Sequence, residues 1–388
     1  MSTWNIWELP FFDGKHRVLA QALQDWQASH AETPEPTDAA SLHAECRTLA
    51  ASLAQAGLLE HAIPGKTEEG RLSVDVRSIC LIREALAYVS PLADFVFAMQ
   101  GIGTAALWLH GSTELQDRYL DDCRRGLHIA AFALSEPDGS SDVISIKTTA
   151  VAEGDSYLIN GDKAWISNAG LADHYIVIAR TGEVGGSRSL SAFMVDAGAD
   201  GMTAGKPLDL VSPHPIASLE FINCRVPRGQ LIGSEGDGLK VAMATLGIFR
   251  TSVGAAAVGL ARRAMDESMV RVQERRLYDA PMAELDSVRM KLADMSVDLD
   301  TAMLATYRAA WCKDSLPGRH AREVATAKLL ATESAQRVID GAVQLFGAAG
   351  VTRGGVIERL YRDIRPMRIY EGASEVQRLI IGRSLLER

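Results

Sequence analysis

The amino-acid sequence predicts an α+β chain of more than one domain, with a strand-forming segment set between two helical ones. Three observations carry this expectation. Apolar residues recur at helical spacing from about 14 to 125. Short apolar or alternating runs, punctuated by Gly, Asp, Asn and Pro, fill about 128 to 235, and long windows of helical period return from 236 onward. The expected domains are 1–127, 128–235 and 236–388, and a chain of 388 residues has room for two or three domains around sizeable cores.

In the first segment Leu19, Leu23 and Trp26 share one helix face. Leu42, Cys46, Leu49 and Leu53 share another, after the break "TPEP". The most apolar window, "LADFVFAMQGIGTAALWLH" from 92 to 110, approaches membrane-spanning length. It carries Asp94 and Gln100 and has no basic flank, so a buried helix is expected and no membrane partner. In the middle segment the runs "HIAAFAL", "KTTAVA", "SYLING", "YIVIAR", "LSAFMVD" and "SLEFINCRV" predict a compact antiparallel sheet, with Asn160-Gly161 as a hairpin turn. The glycine-rich loop "IGSEGDG" then hands over to helical windows at 238–272, 283–314 and 319–346.

Composition narrows the function. The chain is 47% hydrophobic and 23% charged, ordinary globular values. Its 40 basic and 49 acidic side chains leave a net charge of −9, which argues against a nucleic-acid partner. Cys46, Cys80, Cys123, Cys224 and Cys312 are scattered without metal-ligand spacing, so no metal is expected and a reducing compartment is. The opening "MSTWNIWELPFFDGKHR" shows neither a secretory nor a transit pattern, which makes the cytoplasm the expected location.

Three short stretches carry the chemistry. "FALSEPDGSSDV" (132–143) reads alone as a turn after a strand, and "NGDKAWISNAGLADHYIVIAR" (160–180) as a hairpin with one aromatic core residue. "IYEGASEVQR" (369–378) reads alone as a surface Glu near a helix start, favoured by the helix dipole. In this order, with "YRDIRPMRIYEG" (361–372) leading into the third, they resemble the acyl-CoA dehydrogenase family from roughly residue 75 to the end. In that family the stretches read T-E-P-x-x-G-S-D, N-G-x-K-x-W-I-[TS]-N and I-Y-E-G-[TA]-[SA].

The resemblance implies an N-terminal helical domain, a middle β-barrel-like domain and a C-terminal four-helix-bundle domain, in a homotetramer or dimer holding FAD. It implies α,β-dehydrogenation of an acyl-CoA to the trans-2-enoyl-CoA, with electrons passed to an electron-transfer flavoprotein. Such chemistry needs a base on the α-proton, stabilisation of charge on the thioester oxygen and a hydride acceptor, which a flavin supplies. Glu371 matches the family's catalytic base, and Gly372 leaves space for the thioester. Phe132, Leu134, Ser135 and Ser141 match a segment along the flavin and its pyrophosphate, Ser141 also meeting the substrate; Trp165, Ile166 and Ser167 match the trio on the ring's other side. Gln344 and Gly347 in "QLFGAAGV" match a stretch that reaches the adenine portion from a neighbouring subunit, although Gly347 reads equally as a helix cap. The implied cofactor contacts extend to Ala373 and Glu375. Arg250 matches an arginine beside coenzyme A and the base, or is a solvated helix charge.

Several positions depart from the family pattern. Phe249 stands where some relatives carry the base, which closes that location, and Gly247 stands where many carry an Asp for the coenzyme A adenine. Arg275 and Tyr278 retain a possible role toward FAD across a subunit interface, while Asp279 and Asp286 bring negative charge toward an anionic cofactor. Ser140 replaces a usual Gly. Phe95, Phe97 and Met99 fall where relatives shape the acyl pocket, or are plain core. A carrier-protein thioester as substrate, an oxygen-using flavoenzyme and a non-catalytic partner subunit are the alternatives; Glu371 counts against the last two.

Overall fold

A computed structural model describes residues 8–29, 35–65, 72–139, 141–183, 186, 188–318 and 320–386. Ser140 lies outside them. Among the described residues five α-helices come first: α1 (Gly14–Ser29), α2 (Ala39–Gln55), α3 (Val76–Val89), α4 (Pro91–His110) and α5 (Thr113–Arg124). Eight strands follow: β1 (Ala130–Ala133), β2 (Thr149–Glu153), β3 (Ser156–Ser167), β4 (His174–Arg180), β5 (Leu190–Asp196), β6 (Met202–Ala204), β7 (Ile216–Pro227) and β8 (Leu231–Ile232). Then come α6 (Gly238–Glu274), the short strands β9 (Arg276–Leu277) and β10 (Ala280–Pro281), and α7 (Asp286–Ser315), α8 (Ala321–Phe346), α9 (Val356–Met367) and α10 (Ser374–Leu386). The order of helices, strands, helices is the one that periodicity predicts.

Local chemistry sets several boundaries. Asp38 caps α2 by accepting from Ser41 N, Asp75 caps α3 by accepting from Ser78 N, and Ser112 caps α5 through Leu115 N; each satisfies an amide the first helical turn leaves open. The helix α4 is long and apolar enough to cross a membrane, as is α6, but 78% and 67% of their apolar windows are buried inside the protein. Gln100 is accommodated in α4 because its amide donates to the His128 carbonyl and accepts from Ala130 N.

The chain divides into two compact units, one of 1–33, 75–94 and 250–388 and the other of 34–74 and 95–249, so α4 and α6 each run from one unit into the other. In the first unit α8 packs on α7, α9 and α10, and α3 packs on α1 and α7. Within this unit α6 approaches α7 closely at Gly254, where a Cβ would sit 2.8 Å from the Thr306 hydroxyl. Arg83 and Asp94, both buried, pair through two bonds of 2.7 and 2.8 Å, and Arg83 also donates to Ser252.

The second unit holds a sheet in the order β6-β7-β3-β2-β4-β5-β8, with β1 paired to β4. It is not purely antiparallel. β1 lies parallel to β4, and β2 meets β4 in a parallel bridge, because the β2–β3 hairpin returns the chain to its starting direction before β4. Every residue of β4 is buried, which accounts for the unbroken apolar run "YIVIAR". Asn160-Gly161 is not a turn: both residues lie inside β3, at a register shift against β7. Gly161 has φ +137°, so the glycine is needed for a bulge rather than a reversal. The reversal sits at Gly154-Asp155, where Glu153 pairs with Ser156 and Gly154 has φ +61°. All five cysteines are buried and none is in a disulfide.

Candidate active site

Within the first unit, α9 ends at Met367, and the stretch 368–373 turns the chain into α10. Glu333 on α8 ties the two ends of that turn: it accepts from Arg368 Nε at 3.0 Å and from the Ser374 hydroxyl at 2.6 Å. Between them Glu371 has φ +52° and Gly372 φ +94°. A left-handed glutamate is a strained arrangement costing on the order of 1–3 kcal/mol, retained only where surrounding contacts enforce it. Those contacts grip the carbonyls. Arg250 Nε donates to the Glu371 oxygen at 3.0 Å, while Lys328 Nζ and Gln377 Nε2 donate to the Gly372 oxygen at 3.0 and 2.8 Å. A Cβ at Gly372 would lie 2.6 Å from Gln377 Nε2, so this glycine is required by the packed amide as well as by its φ.

The carboxyl itself is set apart. Glu371 Oε2 is buried without a hydrogen-bond partner. Burial raises its pKa above the usual carboxylate range; Arg83, Arg250 and Lys328 pull it down, and Asp94 pushes it up. Lys328, fully buried, has its pKa lowered to about 8, chiefly by desolvation. A carboxyl with an unpartnered oxygen and a raised pKa is a stronger proton acceptor than an ordinary solvated carboxylate.

In the second unit two chain segments are laced together. Ala164 N donates to the Ser135 carbonyl at 3.0 Å, and the Asn168 amide to the Ala130 carbonyl at 2.9 Å. Lys163, fully buried, bridges them: Nζ donates to the Leu134 carbonyl at 3.1 Å and pairs with Glu136 at 2.8 Å. Glu136 also accepts from the amides of Lys147 and Thr148. Desolvation lowers the Lys163 pKa to about 8, against the pull of Glu136. The lacing brings Phe132, Leu134 and Ser135 beside Trp165, Ile166 and Ser167. Between Lys163 and Ile166 the β3–β7 register shifts, Trp165 adopts φ +58°, and its side chain stays 61% exposed. Ile166 instead points into the core, at 2% exposed. An uncovered indole on a strained bulge, beside serine hydroxyls, suits the face of a large neutral ring such as isoalloxazine.

The remaining candidates lie elsewhere. Ser141 is exposed beyond the Glu136–Gly139 turn. Arg275 and Tyr278 are exposed on the β9–β10 hairpin, Tyr278 at φ +52°. Gln344 is exposed at the end of α8, which Gly347 caps with φ +61° and open space at its Cβ. The Arg271 guanidinium over the Phe346 ring, at 5.4 Å, sets the ends of α6 and α8 side by side, so hairpin and cap share one end of the unit. Asp286, at the start of α7, is offset by Arg289 at 3.3 Å. Ala373 is half-buried and Glu375 exposed, at the start of α10. Phe97 is buried, Phe95 stacks on His214 at 4.4 Å, and Phe249 is buried in the core. Sequence reasoning missed Lys163, Lys328 and Gln377. The signal for Lys328 was a lysine on the apolar face of α8, in register with Val324, Ala331 and Ala335.

Family models match nearly the whole chain: the N-terminal domain of acyl-CoA dehydrogenase at residues 14–126, its middle domain at 131–224 and its C-terminal domain at 236–386. The chain is 33% identical over 383 residues to a 3-(aryl)acrylate reductase of Clostridium sporogenes, covering 97% of this chain and 100% of that one. It superimposes on butyryl-CoA dehydrogenase from Megasphaera elsdenii with a TM-score of 0.87 at 29% identity, covering 97% and 99%. A glutaryl-CoA dehydrogenase from Mycobacterium smegmatis in complex with FADH2 gives 0.86 at 25% identity, covering 97% and 96%. With its three matched domains, its strained glutamate turn and its laced serine and tryptophan loops, the chain belongs to the acyl-CoA dehydrogenases, FAD-dependent oxidoreductases of acyl-CoA thioesters.

Proposed function

We propose that this acyl-CoA dehydrogenase converts a saturated acyl-CoA to the trans-2-enoyl-CoA, with Glu371 taking the α-proton. The observation that carries this is the Glu371 carboxyl: its Oε2 is buried and unpartnered and its pKa is raised, on a turn whose carbonyls are pinned. Bound FAD supplies the hydride acceptor for the β-carbon. Its ring is assigned to Phe132, Leu134, Ser135, Trp165, Ile166 and Ser167, with Ile166 contributing main chain because its side chain is buried. Ser141, Ala373 and Glu375 complete the contacts from the same chain. Arg275, Tyr278, Gln344 and Gly347 serve the adenine end of a neighbouring copy, since all four are exposed. Gly372 and Arg250 face the thioester, with Ser141 as a further substrate contact; Arg250, already bonded to the Glu371 carbonyl, fixes the base relative to it.

A homotetramer accounts for the exposed Met290, Val297 and Leu304, seven residues apart along α7. An electron-transfer flavoprotein takes the electrons onward, and the cytoplasm is the location that five unpaired thiols favour. The test is to purify the protein, measure its flavin content, and titrate it anaerobically with matched coenzyme A and carrier-protein thioesters. Bleaching of the flavin band by a saturated coenzyme A ester is expected. Bleaching only by carrier-bound esters corrects the substrate, and no bindable FAD overturns the reading.

A further inference from the structure

Lys328 stands out as an expensive residue with no structural explanation. It lies about two turns into α8, fully buried, on a helix packed against α7, α9 and α10. Burying an ammonium is unfavourable unless a carboxylate pairs with it. Lys163 in the other unit has such a partner in Glu136. Lys328 does not: among the described residues its one hydrogen-bond partner is the neutral carbonyl of Gly372, at 3.0 Å. A methionine would fill similar volume without the desolvation penalty, so stability alone does not call for this lysine.

We propose that Lys328 is the positioning residue of the base: it clamps the Gly372 carbonyl, holds the left-handed Glu371–Gly372 turn, and keeps a positive charge beside the Glu371 carboxyl. This rests on Glu371 being the base. A trans peptide has its carbonyl and the following N–H pointing opposite ways. Pinning the Glu371 oxygen through Arg250 and the Gly372 oxygen through Lys328 therefore fixes both peptide planes after the glutamate. Without the clamp, φ +52° at Glu371 has a strain to release by relaxing toward ordinary backbone. Gln377 alone grips less firmly, because its amide is shared between the Gly372 and Glu371 oxygens at 2.8 and 3.4 Å.

The charges acting on this pair lie on five helices. Arg250 on α6 opposes Lys328, Glu333 on α8 and Glu375 on α10 favour its charge, and Arg83 on α3 and Asp94 on α4 act on Glu371. Among them Lys328 is the cation whose pKa burial lowers to about 8, so its charge depends on its neighbours.

The test uses the flavin-loaded protein with Lys328→Met, Lys328→Gln and Lys328→Arg. Lys328→Met is expected to retain flavin, to reduce it about 10- to 100-fold more slowly at saturating thioester, and to leave half-saturation little changed, as a misplaced reacting group does. The acidic limb of its rate-versus-pH profile moves to higher pH, because Glu371 has lost a cation. Lys328→Arg, keeping donor and charge, recovers most of the rate and the original limb. Lys328→Gln, a shorter neutral donor, gives the same comparison if Lys328→Met does not fold.

A second readout needs no turnover: a thermal-unfolding cycle combining Lys328→Met with Glu371→Gln. Non-additive stabilities near neutral pH, with Lys328→Met costing more when Glu371 is present, are expected. Wild-type rate and limb in Lys328→Met, or an additive cycle, overturns the inference. Failure of every thioester to reduce the wild-type flavin strikes the proposed function instead, and the unfolding cycle still decides the coupling.

Discussion

Each of the two units holds a buried lysine that donates to a main-chain carbonyl, and the two lysines differ in one respect. Lys163 holds the Leu134 carbonyl and is neutralised by Glu136, which in turn accepts two backbone amides. Lys328 holds the Gly372 carbonyl with no ion-pair partner, and the carboxylate that most favours its charge is Glu371. The first is a closed network, suited to keeping two loops in register. The second is left open toward the Glu371 carboxyl, the proposed proton acceptor. Lys163 and Glu136 satisfy one another, whereas at the Glu371 turn the Glu371 Oε2 and the Gln377 Oε1 are buried without partners.

Four substitutions or titrations sharpen that contrast. The largest effect is expected at the open end. Glu371→Gln lowers the rate of substrate-driven flavin reduction by about 10²–10⁴, the usual worth of a positioned base, with flavin content unchanged. Next is the closed network: Lys163→Met leaves Glu136 buried and unpaired, and thermal unfolding should show a loss of about 3–5 kcal/mol. Adding Glu136→Gln to that variant returns part of the stability, whereas no such return would dissolve the distinction between the two lysines.

Gly372→Ala comes third. It meets both the left-handed φ and the Gln377 amide, so a loss of about 1–3 kcal/mol is expected together with slower reduction. The smallest effect is a titration. Because burial raises the Glu371 pKa in the folded state, the native protein holds that proton over a pH range where the unfolded chain has released it. Stability from this group is therefore full below the unfolded value and falls as pH rises through the folded one. Glu371→Gln, which cannot lose the proton, should gain in Tm relative to wild type as pH increases over that window. An unchanging difference in Tm would show that the carboxyl is not desolvated.

Much of this was legible in the sequence, for physical reasons that also mark where reading stops. The helical and strand segments were readable because burial of one face imposes a period, which the α8 window shows directly. Glu371, Ser135 and Trp165 were readable because their motifs are short and local. The Asn160-Gly161 misreading is instructive: a glycine at unusual φ signals a bulge as readily as a turn, and only the partner strand β7 decides which. The roles of Lys163 and Lys328 were not readable because each donates to a main-chain carbonyl, 29 and 44 residues away, which carries no side-chain signature. The parallel pairing of β1 with β4 is likewise long-range, and no alternation within either strand encodes it.

The role of Glu371 is tested most directly by proton exchange without turnover. An acyl-CoA whose β-carbon bears no hydrogen is incubated in D₂O with flavin-loaded protein, and deuterium at its α-carbon is followed by mass spectrometry. Wild type should exchange the α-proton, and Glu371→Gln with equal flavin content should not. Equal exchange in both would show that another group removes the proton.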